Sequence, residues 1–164
     1  MKIALITDAW RPQINGVVTT LVELVEQLNS KGHVVEVIHP DLFKTRPCPG
    51  YAGIDLAVKP YPQLARQLDA FEPDVIHVAT EGPLGWSALK AAQSLNIPVS
   101  TDFRTNFHTY SEHYGVGWLG GIIMGYLRRF HNAANSTMVP TSQLRRELVS
   151  EGFEKLHVVQ RGVD

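Results

Sequence analysis

The chain has 164 residues, enough for one well-buried domain, and its content of 44% hydrophobic and 19% charged residues is that of an ordinary soluble protein. Fifteen basic against sixteen acidic residues leave a formal charge of −1, so no global field draws nucleic acid to it and any anion site must be local. The single cysteine, Cys48 between Pro47 and Pro49, excludes an internal disulfide and argues against a zinc cluster, which fits a reducing cytoplasm.

The N-terminal apolar run meets Asp8 before a signal-peptide core is complete, and no uninterrupted apolar stretch reaches the ~20 residues of a spanning helix. The expected protein is soluble or peripherally attached. Residues 2–7 predict a buried strand, apolar on both faces. Val17, Leu21, Leu24 and Leu28 then form a helical stripe, opposed by Glu23, Glu26, Gln27 and Lys31 and stopped by Gly32. A second strand is expected at 34–38. Residues 40–62 hold five prolines and two glycines and read as a long loop with a short strand at 54–58.

The alternation resumes with a strand at 74–78 and a helix opened by Pro83, with Leu84, Ala88, Ala91 and Leu95 on one face. A strand at 99–103 precedes a polar and aromatic loop. The helix of residues 118–130 carries Leu119, Ile123, Tyr126 and Phe130 on one stripe, Ile122 alongside, and Arg128, Arg129 and His131 at its end. It reads either as a core helix with cations at its favourable C-terminus or as a contact for an anionic membrane surface. A strand at 137–139, a helix with Leu144 and Leu148 capped by Thr141 or Ser142 and closed by Gly152, and a strand at 156–160 complete the pattern. Strands alternating with helices predict a doubly wound, parallel α/β sheet. The last strand runs straight into Arg161-Gly162-Val163-Asp164, which reads as truncation at a domain boundary.

In such a sheet the ligand crevice lies beyond the carboxyl ends of the strands. Three loops there are candidates. The first, Trp10 to Gly16, is either a plain turn and cap or a site where Asn15, Gly16 and the N-terminus of the helix beginning near Val17 meet a phosphate. The second, Ala79 to Gly85, offers Glu81 and Gly82 to ligand hydroxyls, or Glu81 simply complements the helix dipole. The third, Thr101 to Tyr110, is too rich in polar and aromatic groups to be read only as a connector.

Other chemistries are absent. Gly115-Val116-Gly117-Trp118-Leu119-Gly120 matches the literal dinucleotide fingerprint but follows no suitable strand. Ser87 lacks the second glycine of a nucleophile elbow, the seven histidines are scattered, and there is no Walker, H-E-x-x-H or D-x-D motif. Residue chemistry alone reaches an anion-binding α/β domain without a metal site.

Taken together, the loops resemble a known family. The pattern comprises Thr7-Asp8 with Pro12-x-x-Asn15-Gly16-Val17-Val18-Thr19, then His77-Val78-x-Thr80-Glu81-Gly82-Pro83-Leu84-Gly85, then Phe103-x-Thr105-Asn106-Phe107-x-x-Tyr110-x-x-His113-Tyr114-Gly115. With Val139-Pro140-Thr141-Ser142 and the closing Arg161-Gly162-Val163-Asp164, it is similar to the N-terminal, Rossmann-like half of a family 4 retaining glycosyltransferase of GT-B fold, over essentially residues 1–164. Relatives with this pattern include glycolipid-forming glycosyl- and mannosyltransferases.

The resemblance implies that Asn15 and Gly16 approach the donor diphosphate and the acceptor. The loop holding Asn106 and Tyr110 would line the acceptor side. Many relatives carry His where this chain has Arg104; Arg104 supplies a charge there, or His108 replaces the imidazole, and ungapped alignment favours Arg104. The donor is a UDP- or GDP-linked sugar, a substrate rather than a cofactor, held largely by a C-terminal domain outside this chain. Transfer to a lipid or glycoside hydroxyl with retention and without metal is implied, at the cytoplasmic face of a membrane if the acceptor is a lipid, and the isolated chain is expected to be inactive. The competing reading is a non-catalytic α/β module that binds a phosphorylated small molecule.

Overall fold

The computed structural model describes residues 1–11, 16–47, 55–103 and 118–159, with the side chains of residues 118 and 119 excepted. The fold is α/β, with a mostly parallel sheet flanked by helices. The chain divides into two compact units, Met1–Val99 and Ser100–Asp164.

In the first unit the strands β1 (Lys2–Ile6), β2 (Val34–Ile38) and β5 (Val75–Val78) run parallel in the order β2-β1-β5. β1 is the central strand, and its Ala4, Leu5 and Ile6 are at most 2% exposed, which explains its unbroken apolar run. Helix α1 (Gly16–Ser30) lays Leu21 into a cluster with Leu5 and Ala79, with Val17 and Leu24 packed against it. Gly32, at φ +89°, provides the left-handed turn that ends this segment, as its position after the stripe predicts.

The proline-rich stretch holds more structure than a loop. β4 (Asp55–Ala57) falls within the short strand expected there, and it pairs antiparallel with β3 (Thr45–Pro47), Thr45 opposite Ala57. The sequence reading missed helix α2 (Tyr61–Phe71), whose Leu64 and Leu68 are fully buried. Prolines in this stretch read locally as loop punctuation, but Pro62 falls in the first turn, where a missing N–H costs nothing. Helix α3 (Pro83–Leu95) follows β5 and buries Leu84, Ala88 and Ala91 as their spacing predicts.

In the second unit β6 (Val99–Asp102), β7 (Ser136–Val139) and β8 (Leu156–Val158) are parallel neighbours in that order. Between them lie helix α4 (Trp118–Asn132) and helix α5 (Ser142–Ser150). Thr141 caps α5, its Oγ1 accepting from the Leu144 N–H at 3.1 Å, and Gly152 at φ +91° lies just beyond the helix end. Phe103, Leu127, Val139, Leu148, Phe153 and Leu156 form the core of the unit.

His131 departs from its expected place as a helix-end cation. It is 1% exposed, with its ring 5.2 Å from those of Phe103 and Phe130, and its Nδ1 lies 2.8 Å from Thr101 Oγ1. Position 131 falls on the inward face of α4 beside Phe130, so burial decides its role. Lys155 takes up the charge at this helix end, its Nζ donating to the carbonyls of Asn132 and Ala134 at 3.2 and 2.9 Å.

Candidate functional site

β1 and β5 end side by side, with Ile6 opposite Val78. From β1 the chain passes through α1 towards β2, whereas after β5 and α3 it returns on the other flank of β5, where the Pro98 carbonyl accepts from the Ile76 N–H at 2.9 Å. The connections therefore diverge between β1 and β5. This is the switch point at which an open α/β sheet forms its ligand crevice, so the loops after these two strands border it.

The loop after β1 is held by its own side chains. Thr7 Oγ1 donates to the Ala9 carbonyl at 2.6 Å and accepts from the Ala9 N–H at 3.0 Å, closing a tight Thr7-Asp8-Ala9 turn. Asp8 then crosses to the neighbouring loop. Its backbone N–H donates to Thr80 Oγ1 at 2.7 Å, and the same hydroxyl donates back to Asp8 Oδ2 at 2.6 Å. Oδ2 also accepts from the Gly82 N–H at 3.0 Å, Oδ1 accepts from the Leu84 N–H at 2.9 Å, and the Gly85 N–H points to the same carboxylate.

This arrangement supplies what α3 lacks. Its cap residue is Gly82, without a side chain, and Pro83 follows without an N–H, so the first turn has no acceptor of its own. Asp8 provides a capping carboxylate from a position 76 residues from Leu84 in sequence. Burial raises the carboxyl above its ordinary value, and the Thr80 hydroxyl and the backbone donors pull in the opposite direction.

Of the residues singled out by sequence, Gly16, Val17, Glu81 and Gly82 lie in or beside these loops. Gly16 is exposed at the start of α1, a β-carbon on it would meet no described atom within 4 Å, and the first turn of α1 contains no acidic residue. Val17 points its side chain into the cluster of Leu5, Leu21 and Ala79, leaving only its backbone for a ligand. Glu81 is half-buried immediately before the Gly82 cap. Gly82 backs directly onto the Asp8 carboxylate. Asn15, Arg104, Asn106, His108 and Tyr110 lie outside the described residues.

Asp8 stands in the sequence pattern as Thr7-Asp8, but sequence reasoning gave it no role in the site. The available signal was a helix opened by Gly-Pro with no capping side chain, which obliges another segment to provide one. Beside it, half-buried Trp10 has the Arg11 guanidinium over its ring at 5.8 Å and the His39 ring at 6.3 Å. Burial lowers the His39 imidazole below its ordinary value, against an opposing pull from Asp41. Among the described residues no group of three or more His, Cys, Asp or Glu side chains is placed to hold a metal ion.

Residues 14–164 match the family described as Glycosyltransferase Family 4. The chain belongs to Glycosyltransferase Family 4. Among family relatives, a GDP-mannose-dependent alpha-mannosyltransferase of Mycolicibacterium smegmatis is 28% identical over all of this chain and 48% of its own length. An alpha-monoglucosyldiacylglycerol synthase of Acholeplasma laidlawii is 34% identical over 91% of this chain and 43% of its own length. The chain thus spans about half the length of the curated relatives it matches. In fold it resembles the UDP-GlcNAc 2-epimerase of Methanocaldococcus jannaschii, solved with UDP-GlcNAc and UDP, at a TM-score of 0.62 and 18% identity over 97% of this chain and 46% of that one. Within this family 4 chain, no helix among the described residues is long and apolar enough to cross a membrane. On α4, Ile122 and Tyr126 are 59% and 43% exposed, with Arg129 exposed one turn further along.

Proposed function

We propose that this chain is the acceptor-side half of a glycosyltransferase that moves a sugar from a nucleotide-sugar donor to an acceptor hydroxyl, with retention and without a metal ion. Membership of Glycosyltransferase Family 4 over residues 14–164 carries this reading. The switch point between β1 and β5 supports it by giving a donor a crevice in which to lie. Asn15, Gly16 and the backbone of Val17 face the donor diphosphate, where the positive end of the α1 dipole favours an anion. Glu81 and Gly82 border the same crevice, while Asn106 and Tyr110 line the acceptor side. Arg104 meets the transferred sugar or its phosphate, with His108 as the imidazole in reserve.

The nucleoside diphosphate departs, positive charge develops at the anomeric carbon, and the acceptor hydroxyl attacks the face the leaving group has vacated, its proton passing to the departing phosphate. Catalysis rests on positioning and on electrostatic stabilisation of the leaving phosphate. A second domain outside these residues supplies most donor contacts, so the segment 1–164 alone binds acceptor weakly and turns over nothing. A lipid acceptor is preferred, because relatives named for diacylglycerol and the exposed Ile122 and Tyr126 of α4 both fit work at a cytoplasmic membrane face.

The test is nucleotide release by the full-length protein, challenged with UDP- and GDP-sugars in chelator, with and without lipid vesicles, followed by the anomeric configuration of the product. Vesicle-dependent release with a retained configuration is expected. Release only with soluble glycosides removes the lipid acceptor; no release from any donor leaves a non-catalytic module that binds a phosphorylated small molecule.

A further inference from the structure

We infer that Asp8 is a positioning residue of the transfer reaction, tying the loop after β1 to the loop before α3 so that the two sides of the switch point are held together for the donor. This rests on the transferase reading. The carboxylate is 7% exposed, and Thr80, Gly82, Leu84 and Gly85 of its own chain supply its donors. It is engaged with the protein rather than with substrate and acts through the loops it joins.

Three observations go beyond an ordinary helix cap. First, the link is doubled, because Thr80 Oγ1 holds both the backbone N–H and the side chain of Asp8, fixing the direction of the main chain as well as the carboxylate. Second, Thr7 closes the next step by binding both polar groups of Ala9, so the main chain on the far side of Asp8 is fixed as well. Third, the clamp occupies the N-terminus of α3, because the amides of Gly82 and Leu84 are engaged and partly neutralised by Asp8. An incoming diphosphate is thereby kept from binding out of register at α3.

The substitution Asp8→Asn keeps the volume but turns an NH2 group towards a backbone N–H. Thr80→Val removes the doubled link while leaving the carboxylate on α3. Leu68→Val serves as a stability control, since Leu68 is fully buried on α2 and belongs to neither loop. In the full-length protein, at a temperature where every variant is folded by circular dichroism, Asp8→Asn should lower kcat/KM for the donor about 10- to 100-fold, and Thr80→Val by a smaller factor in the same direction. Leu68→Val should stay within about twofold. Wild-type kcat/KM in both loop variants, or an equal loss in Leu68→Val, overturns the inference.

Amide hydrogen exchange supplies a readout independent of turnover. Both loop variants should speed exchange at Ala9 to Arg11 and at the first amides of α1, with α2 unchanged. Unaltered protection there overturns the positioning role even if no donor is ever turned over, whereas faster exchange without turnover in the wild type sinks the transferase reading and leaves the clamp standing.

Discussion

Asp8 and Gly82 are packed so closely that position 82 has no room for a side chain: a β-carbon there would fall 2.5 Å from Asp8 Oδ2 and 2.7 Å from Oδ1. The two residues are separated by 74 positions in sequence, yet each constrains what the other can be. Gly82→Ala should therefore destabilise the protein by about 1–3 kcal/mol through overpacking. Asp8→Ala removes the obstacle, so the double variant should lose less than the sum of the single losses, with a coupling of about 0.5–3 kcal/mol. Urea unfolding of the four proteins measures the cycle; strict additivity would refute the contact.

Asp8 should also leave a mark on the pH dependence of stability. Its folded pKa is raised above the ordinary 3.8, chiefly by burial, so the folded state holds this proton more tightly than the unfolded chain does. The resulting contribution is complete below pH 3.8 and is lost as pH rises through the folded pKa. The difference in unfolding free energy between the wild type and Asp8→Asn should thus fall with rising pH across that window and flatten above it. A difference that grows instead would reverse the sign of the shift.

The buried chain from His131 through Thr101 to Thr137 should be sensitive to a change that preserves shape. Thr101 Oγ1 lies 2.8 Å from His131 Nδ1 and 2.9 Å from Thr137 Oγ1. Thr101→Val keeps the volume and removes both bonds, leaving desolvated partners at a cost of about 1–3 kcal/mol. Chemical denaturation reads the loss, and a change below a few tenths would show the network to be dispensable.

His39 is expected to titrate below its ordinary 6.5, because burial disfavours the imidazolium more than Asp41 favours it. For a depressed base the stabilising contribution is present above pH 6.5 and is lost as pH falls through the folded pKa. An NMR titration of the imidazole gives the value directly, and His39→Gln should remove that part of the acid sensitivity. A midpoint at or above 6.5 would contradict the burial argument.

The membrane reading of α4 rests on Ile122 and Tyr126, which are exposed in the chain itself. Replacing both with Glu should reduce cosedimentation with anionic vesicles by about 10-fold or more, since each loses an apolar side chain that would enter the interface. As an exposed pair, they should shift folding stability by no more than about 0.5 kcal/mol each. Vesicle binding equal to that of the wild type would take α4 out of the interface.

Local periodicity made most of the fold legible. The unbroken apolar run of Lys2–Ile6, the stripe through Val17 and Leu21, the Thr141 cap and the stop at Gly152 each depend on neighbours within a few residues, and the structure bears them out. Helix α2 was not legible because Pro60 and Pro62 read locally as breakers, whereas Pro60 stands at the cap and Pro62 in the first turn. The family was legible only as a resemblance, carried by the residues of the loops together.

Only the tertiary structure decided which side chain caps α3 and which face of α4 is buried. Local reading offered α3 only Glu81 as a complement to its dipole, and it placed His131 among the helix-end cations. Asp8 and Thr101 took part in these arrangements because adjacent parallel strands bring together residues many positions apart. A hydrogen bond across a parallel sheet has no sequence period, whereas an amphipathic helix or a glycine stop is written in consecutive residues.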